Sequence, residues 1–249
     1  MAAPLWTDVT PAASVSLAPT AERPFNWGMS TQEFVQPLVM FFIPFVISIG
    51  IHEWAHVAMA RFLGDDTGTR MGRYTLNPLA HLDPVWTVIV PLIMLFKGGM
   101  ILGAGKPAPY TPRNLDREFG GKRITLRAAE MLVAAAGPIS NMVLAVVCVL
   151  VFVPLRLSAA NEMLQEMFLM AGLLNVALAV FNLIPVDPLD GAKVIRFFLP
   201  YNATQKFDAF MARGGFFLMI GAFLLASFVI GPAQRVYMQF LHTVLGWFA

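Results

Sequence analysis

Charge is scarce in this 249-residue chain. Only 13% of its residues are Asp, Glu, Lys or Arg, against about 25% in an average soluble domain. So thin a supply argues against a soluble globular enzyme, because it cannot wrap a core of this size in polar surface. A disordered chain is equally disfavoured, since 57% of the residues are hydrophobic and mean hydropathy is +0.67. The net charge of +2 is small and scattered, so no nucleic-acid partner is expected. One cysteine, Cys148, supports neither a disulfide framework nor a cysteine-based metal site. Residues 1–33 lack the basic start and continuous apolar core of a cleavable signal peptide. With Pro4, Pro11, Pro19 and Pro24 set among Ala, Ser and Thr, they read as an irregular arm. What the chain has instead is long apolar runs, and the bilayer is the expected solvent for most of it.

The first run, Phe34 to Leu63, is long enough to span, with Pro44 expected to bend it. The second, Pro84 to Gly103, is interrupted by Pro91, Lys97 and the Gly98-Gly99 pair. The third runs from Met131 to Pro154 with a break at Gly137-Pro138, the fourth from Met163 to Val186, and the fifth from Gly214 to Gly231. The closing stretch, Arg235 to Phe248, is too short to span and is expected to lie at the interface.

Charge between the runs sets the expected topology. Arg61, Arg70 and Arg73 follow run one; Lys106, Arg113, Arg117, Lys122, Arg123 and Arg127 precede run three; Lys193, Arg196, Lys206 and Arg213 precede run five. All should face the cytoplasm. Run two is then basic on both flanks, so it is expected to enter and leave on one side as a re-entrant hairpin turning near Lys97-Gly98-Gly99, a plain spanning helix being the alternative. The arm falls outside, and runs one, three, four and five cross.

Within run one lies His52-Glu53-Trp54-Ala55-His56. On a helix, positions i and i+4 share a face, so His52 and His56 can grip one metal ion. Glu53, one position on, sits beside that ion and suits a general base for its water. Zinc matches two imidazoles, a carboxylate and an open position. Three ionisable groups within five residues of a membrane span need such a reason, because each is costly there unless paired, ligated or wet. The third protein ligand must come from elsewhere, and His81, Asp83, Asp187 and Asp190 are the candidates by chemistry. Asp187 and Asp190 follow run four, where Pro185, Pro188 and Gly191 forbid a regular helix and let a carboxylate turn inward.

His52-Glu53-x-x-His56 followed by Asn182-x-x-Pro185-x-x-x-x-Asp190-Gly191 resembles the site-2 protease family of intramembrane zinc metalloproteases, in the order that family shows. Leu76 to Pro84, Gly105 to Pro109, Pro112-Arg113-Asn114 and Ala136 to Asn141 resemble its compact prokaryotic branch, and no PDZ-like insert lies between the runs. The resemblance covers about residues 36–200. It implies one Zn2+ held by His52, His56 and Asp190, Glu53 as catalytic base, and Asn182 holding substrate or stabilising an oxyanion. Asp187 departs from the family pattern and puts a second carboxylate three residues from the implied ligand, leaving a swapped role open. The implied substrate is a single-span regulatory protein, such as an anti-sigma factor, cut within or near its transmembrane segment in a prokaryotic cell membrane.

The expected fold is therefore an all-α polytopic membrane protein with about four spanning helices, a re-entrant hairpin and a small membrane-associated β element. That β element would pair Thr69 to Leu76 with Gly103 to Pro107 at the cytoplasmic face and receive an unwound substrate. The expected organisation is an arm (1–33), a metalloprotease core (34–200), and a C-terminal span with an interfacial helix (201–249). His81 and Asp83 could orient a ligand or cap a turn; Asn141 could hydrogen-bond across helices near the site; and His242 reads as an interfacial residue. Two other functions fit parts of the pattern. A metal-ion transporter would spread its ligands along a path, and a non-catalytic binder on the same fold would not need Glu53.

Overall fold

The computed structural model describes residues 35–36, 38–97, 103 and 105–248. In chain order these form α1 (Leu38–Phe62), the short α2 (Thr67–Arg70), α3 (a π-helical turn Pro84–Ile89 running into Val90–Lys97), a hairpin of β1 (Glu118–Phe119) and β2 (Lys122–Arg123), α4 (Leu126–Leu157), α5 (Glu162–Asn182), α6 (Asp190–Phe198) and α7 (Tyr201–Gly246). Among the described residues α1, α4, α5 and the Phe217–Gly246 part of α7 are long and apolar enough to cross a bilayer. The chain is an all-α membrane protein, as its composition requires. The arm and the start of run one lie outside the described residues.

Local chemistry sets the helix ends. The π-helical turn Leu38–Phe42 lies just before Pro44, whose missing N–H removes a bond from the opening turns of α1. Asp83 caps α3, accepting from the N–H groups of Val85 and Trp86 at 2.9 and 2.8 Å. Thr125 and Asn161 cap α4 and α5 in the same way. Gly137-Pro138 does not break α4, which runs through both residues for 32 in all. A proline removes one hydrogen bond, and neighbouring helices hold the rest of this one in place.

α4 is the central helix and packs on α1, α5 and α6. It does so through small residues, with Ala129, Ala134, Ala136, Gly137 and Ala145 all buried, which lets backbones approach where lipid gives no hydrophobic drive. Run five and the closing stretch form one helix, α7, of 46 residues, so the expected separate interfacial helix is not there. Pro232 costs it a single bond, and beyond that point Tyr237, Leu241, Val244 and Leu245 bury against Val149, Phe152 and Val176 of α4 and α5. The Tyr237 hydroxyl donates to the Ala145 carbonyl at 3.2 Å. Packing has overridden the apparent shortness of the segment.

Among the described residues, run two does not form a helix long enough to span. Its helical part, 84–97, is about 21 Å long at 1.5 Å per residue, too short for a hydrocarbon core of about 30 Å. Gly103 returns beside the start of the same helix, where a Cβ would meet the Trp86 carbonyl oxygen at 3.0 Å. The expected hairpin turn at Gly98-Gly99 lies outside the described residues. The expected β element is not formed by Thr69 to Leu76. That stretch opens in the helical turn α2 and reverses at Gly72, whose φ is +71°. The strands sit instead at 118–123, paired Glu118 with Arg123 and Phe119 with Lys122 around Gly120-Gly121, both at positive φ as a two-residue hairpin turn requires.

The connections before α4 and α7 meet at one end of the bundle, where Arg127 donates to the Leu199 carbonyl. Asp65, 1% exposed, ties the loop after α1 to this end. It accepts from the Thr67 hydroxyl at 2.6 Å, the Asn114 amide at 2.9 Å and the Thr111 N–H at 3.1 Å. Burial alone would raise its carboxyl, but those hydrogen bonds outweigh burial and hold it below the usual range. A depressed folded value means that the stabilisation is complete above the unfolded value of about 3.9 and is lost as pH falls through the folded one. Asp65→Asn should therefore cost about 1–3 kcal/mol at neutral pH by setting donors against donors. Thermal unfolding in detergent should show the gap to the unmodified protein shrinking below about pH 4; a gap unchanged on acidification would refute the assignment.

Candidate metal centre

α1 presents His52 and His56 one turn apart, with their Nε2 atoms 3.1 Å from each other. The turn between α5 and α6 brings Asp190 to them, its Oδ2 lying 3.2 Å from each Nε2. All three residues are buried or nearly so, at 6%, 7% and 9% exposure. Among the described residues this is the one cluster of three or more such groups able to hold an ion. The turn has this shape because Pro185 and Pro188 prevent α5 from continuing. Gly191 lets α6 begin hard against the end of α5, where a Cβ would clash with the Leu183 and Ile184 carbonyls.

The other ring nitrogens decide what the cluster can hold. The Nδ1–H of His56 donates to the Val133 carbonyl at 2.7 Å. The Nδ1–H of His52 donates to Asn141 Oδ1 at 2.6 Å. With both Nδ1 atoms carrying the proton, both Nε2 lone pairs face Asp190, and three acceptors converge with no proton among them. A cation shared among the three relieves that convergence. Tetrahedral zinc with bonds of about 2.0–2.1 Å sets its ligand atoms roughly 3.3–3.4 Å apart. The observed spacings of 3.1 and 3.2 Å fit that sphere with little movement. Three protein ligands leave a fourth position for water or substrate, the pattern of catalytic rather than structural zinc.

Glu53 lies off the triad, as its offset along α1 requires. Its Oε2 accepts from the Ala108 N–H at 2.9 Å, and it is close enough to act electrostatically on His56. The segment from Gly105 to Ala108 runs over it, held also by the Lys106 N–H on the His81 carbonyl at 2.8 Å. A Cβ on Gly105 would lie 2.9 Å from Glu53 Cγ, so glycine there permits the approach.

The remaining sequence candidates separate cleanly. Asp187 does not join the histidines. It pairs with Arg196, which also holds Asp208 at 2.7 Å, and it is Asp190 that lies against both imidazoles. His81 is fully buried and bonds the Thr75 carbonyl at 2.9 Å, while Asp83 caps α3; both serve the turn before the hairpin. The Asn182 amide donates to the Leu178 carbonyl of its own helix, so the structure does not bring it to the triad. His242 stands apart on α7. The sequence reading took Gly137 for part of a helix break and gave it no role at the site. A Cβ there would lie 2.5 Å from His56 Cε1 and 2.6 Å from His52 Cε1. Asn175 was missed too, although an asparagine in an apolar run is itself a signal.

Gly137→Ala should push both imidazoles off the shared axis while leaving α4 helical. Zinc affinity should fall at least tenfold with helix content unchanged, as read by chelator competition and circular dichroism. Unaltered zinc binding would show that the rings do not need the gap.

Comparison with known proteins agrees with this chemistry. The family model described as Peptidase family M50 matches residues 40–157 and 154–222. A relative from Bacillus subtilis (strain 168), named "Putative zinc metalloprotease YwhC", is 34% identical over 197 residues, 76% of this chain and 83% of its own length. A Mycolicibacterium smegmatis relative, named "Putative zinc metalloprotease Rip2", is 26% identical over 187 residues, 75% of this chain and 67% of its own length. The Rip2 protein of Mycobacterium tuberculosis (strain ATCC 25618 / H37Rv) is 27% identical over 165 residues, 64% of this chain and 59% of its own length. No solved structure matches. The chain is a membrane-embedded zinc metalloprotease and belongs to peptidase family M50, the site-2 protease family.

Proposed function

We propose that the chain is an intramembrane endopeptidase that cuts single-span regulatory proteins, of the anti-sigma-factor kind, within or near their transmembrane segment. The observation that carries this reading is the placing of two histidines and a glutamate on a helix of spanning length, with Asp190 completing the cluster. In this reading His52, His56 and Asp190 hold one Zn2+. Zinc held there supplies Lewis-acid polarisation of the scissile carbonyl and a water of lowered pKa.

Glu53 takes the proton of the attacking water and returns it to the leaving amine. Its bond to the Ala108 N–H aims the carboxylate and leaves Oε1 for that work. The irregular segments 105–111 and 183–189 flank the site and give substrate backbone a place to lie extended. A helical substrate must unwind to reach them, because its carbonyls are otherwise engaged in its own hydrogen bonds. Asn182 would have to leave the Leu178 carbonyl to meet the substrate, so we assign it a role only in the bound state.

The basic connections at the α4 and α7 starts support a prokaryotic cell-membrane protein whose site opens toward the cytoplasm. A transporter reading is less well supported, since the candidate ligands gather at one point and a carboxylate base stands beside them.

The test uses the full chain in detergent or liposomes with a tagged single-span substrate. Glu53→Gln should lower cleavage by about 10²–10⁴ with zinc content unchanged. Asp190→Ala should lose zinc and cleavage together. Cleavage persisting in both variants, or zinc flux across liposomes surviving Glu53→Gln, would overturn the proposal. Comparison of membrane proteomes with and without an active copy then names the substrate.

A further inference from the structure

His52 and His56 are pinned by different means. The Nδ1–H of His56 meets a backbone carbonyl, an atom that can only accept, so its proton position is fixed directly. The Nδ1 of His52 meets a side-chain amide, and an amide can turn over and offer its NH2 group instead. If Asn141 turned over, its Nδ2 would donate to His52 Nδ1. The ring proton would then move to Nε2, the atom that faces Asp190, and no metal could be held there. Something must keep Asn141 the right way round.

We propose that Asn175 does this. It is a positioning residue that fixes the His52 tautomer through Asn141, and it rests on the reading of His52 as a metal ligand. Asn175 Nδ2 donates to the Ala171 carbonyl at 2.8 Å and to Ser48 Oγ at 2.9 Å. The Ala171 carbonyl cannot donate, so together these two bonds set the orientation of Asn175. Its Oδ1 must then face Asn141, whose Nδ2 donates to it at 2.8 Å. The other Asn141 N–H points to the Ser48 carbonyl, a longer contact of 3.5 Å that favours the same orientation. Asn141 Oδ1 is left facing His52, and the proton sits on Nδ1.

The relay is closed off from bulk water. Asn141 is 0% exposed, Asn175 2%, Ser48 3% and His52 6%. The relay crosses from α5 through α4 to α1, three helices of membrane-spanning length, where each polar side chain carries a cost that needs a return. It ends on one ring nitrogen.

The experiment compares the full chain and its variants in detergent, free of zinc, with histidine ring nitrogens labelled and read by nitrogen NMR. The unmodified protein should show His52 as the Nδ1–H tautomer alone. Asn175→Leu should give a mixture of tautomers, and its zinc dissociation constant, measured with a competing chelator, should rise 10–100-fold. Ser48→Ala, a milder loss that keeps the fold, should move both readouts the same way by less. In an Asn141→Asp background either carboxylate oxygen accepts from His52, no orientation remains to be set, and Asn175→Leu should cease to affect the tautomer. A single Nδ1–H tautomer in both Asn175→Leu and Ser48→Ala would overturn the proposal, as would an equal effect of Asn175→Leu in the Asn141→Asp background. If Asn175→Leu does not fold, Ser48→Ala alone decides. A tautomer shift in a protein that binds no zinc would leave the relay standing and retire the metal reading instead.

Discussion

Two imidazole nitrogens and a carboxylate oxygen point at one another inside an apolar bundle. In water such a convergence would be unremarked, because solvent would screen it. Here all three residues are at most 9% exposed, and like partial charges in a low dielectric repel strongly. A shared cation relieves that repulsion, and the bundle both excludes lipid from the point and holds the three groups at the spacing of a metal's ligands. α1 alone cannot do this. It provides two histidines and a glutamate within five residues, but Asp190 lies more than 130 residues away in sequence and must be carried in by packing.

The turn between α5 and α6 does the carrying. Two prolines stop α5, and Gly191 lets the next helix start within contact distance of the last. Asp187 and Asp190 then leave the turn in different directions, and what separates them is a partner. Arg196, one side of α6, takes Asp187 and also reaches Asp208 on α7. This ion-pair group braces the turn from outside and removes one carboxylate from competition. Asp190 has no cation of its own except the one the triad would bind. Selection between two nearby carboxylates is thus made by the placement of a guanidinium, a feature without a local signature around either aspartate.

What could be read in advance follows from the range over which each signal acts. His52, Glu53 and His56 were legible because helix periodicity fixes their relation within five residues. Asp190 needed the linked motif 130 residues on, and the unwound turn around it was legible from Pro185, Pro188 and Gly191. That run two is interrupted was legible from Pro91, Lys97 and the Gly98-Gly99 pair. The β element was misplaced because weak alternation over Thr69 to Leu76 was weighed above Gly120-Gly121, a stronger turn signal lying between charged residues. α7 was cut short because Arg235 to Phe248 taken alone is too short to span, and only the face offered by α4 and α5 shows why Leu241 and Val244 are apolar. Gly137 and Asn175 were illegible as site residues for a related reason: one acts by lacking a side chain where another helix's rings come close, the other through an intermediary.

The separation of ligand and base on α1 also explains why the neighbouring segment is tied where it is. A step of one residue turns a helix by about 100°, so a group adjacent to a ligand cannot share its direction. Glu53 accordingly leaves the triad's face and meets the 105–108 segment. A carboxylate left loose there would lose catalytic value, because a base must be held within hydrogen-bond reach of the proton it takes. The Ala108 N–H supplies that hold through a charge-assisted bond, which occupies one oxygen and leaves the other. Gly105 must lack a side chain for this contact, just as Gly137 must for the histidines. Backbone approaches the site from two sides through glycine, and side-chain bulk is kept out of the space where a substrate's own backbone has to lie.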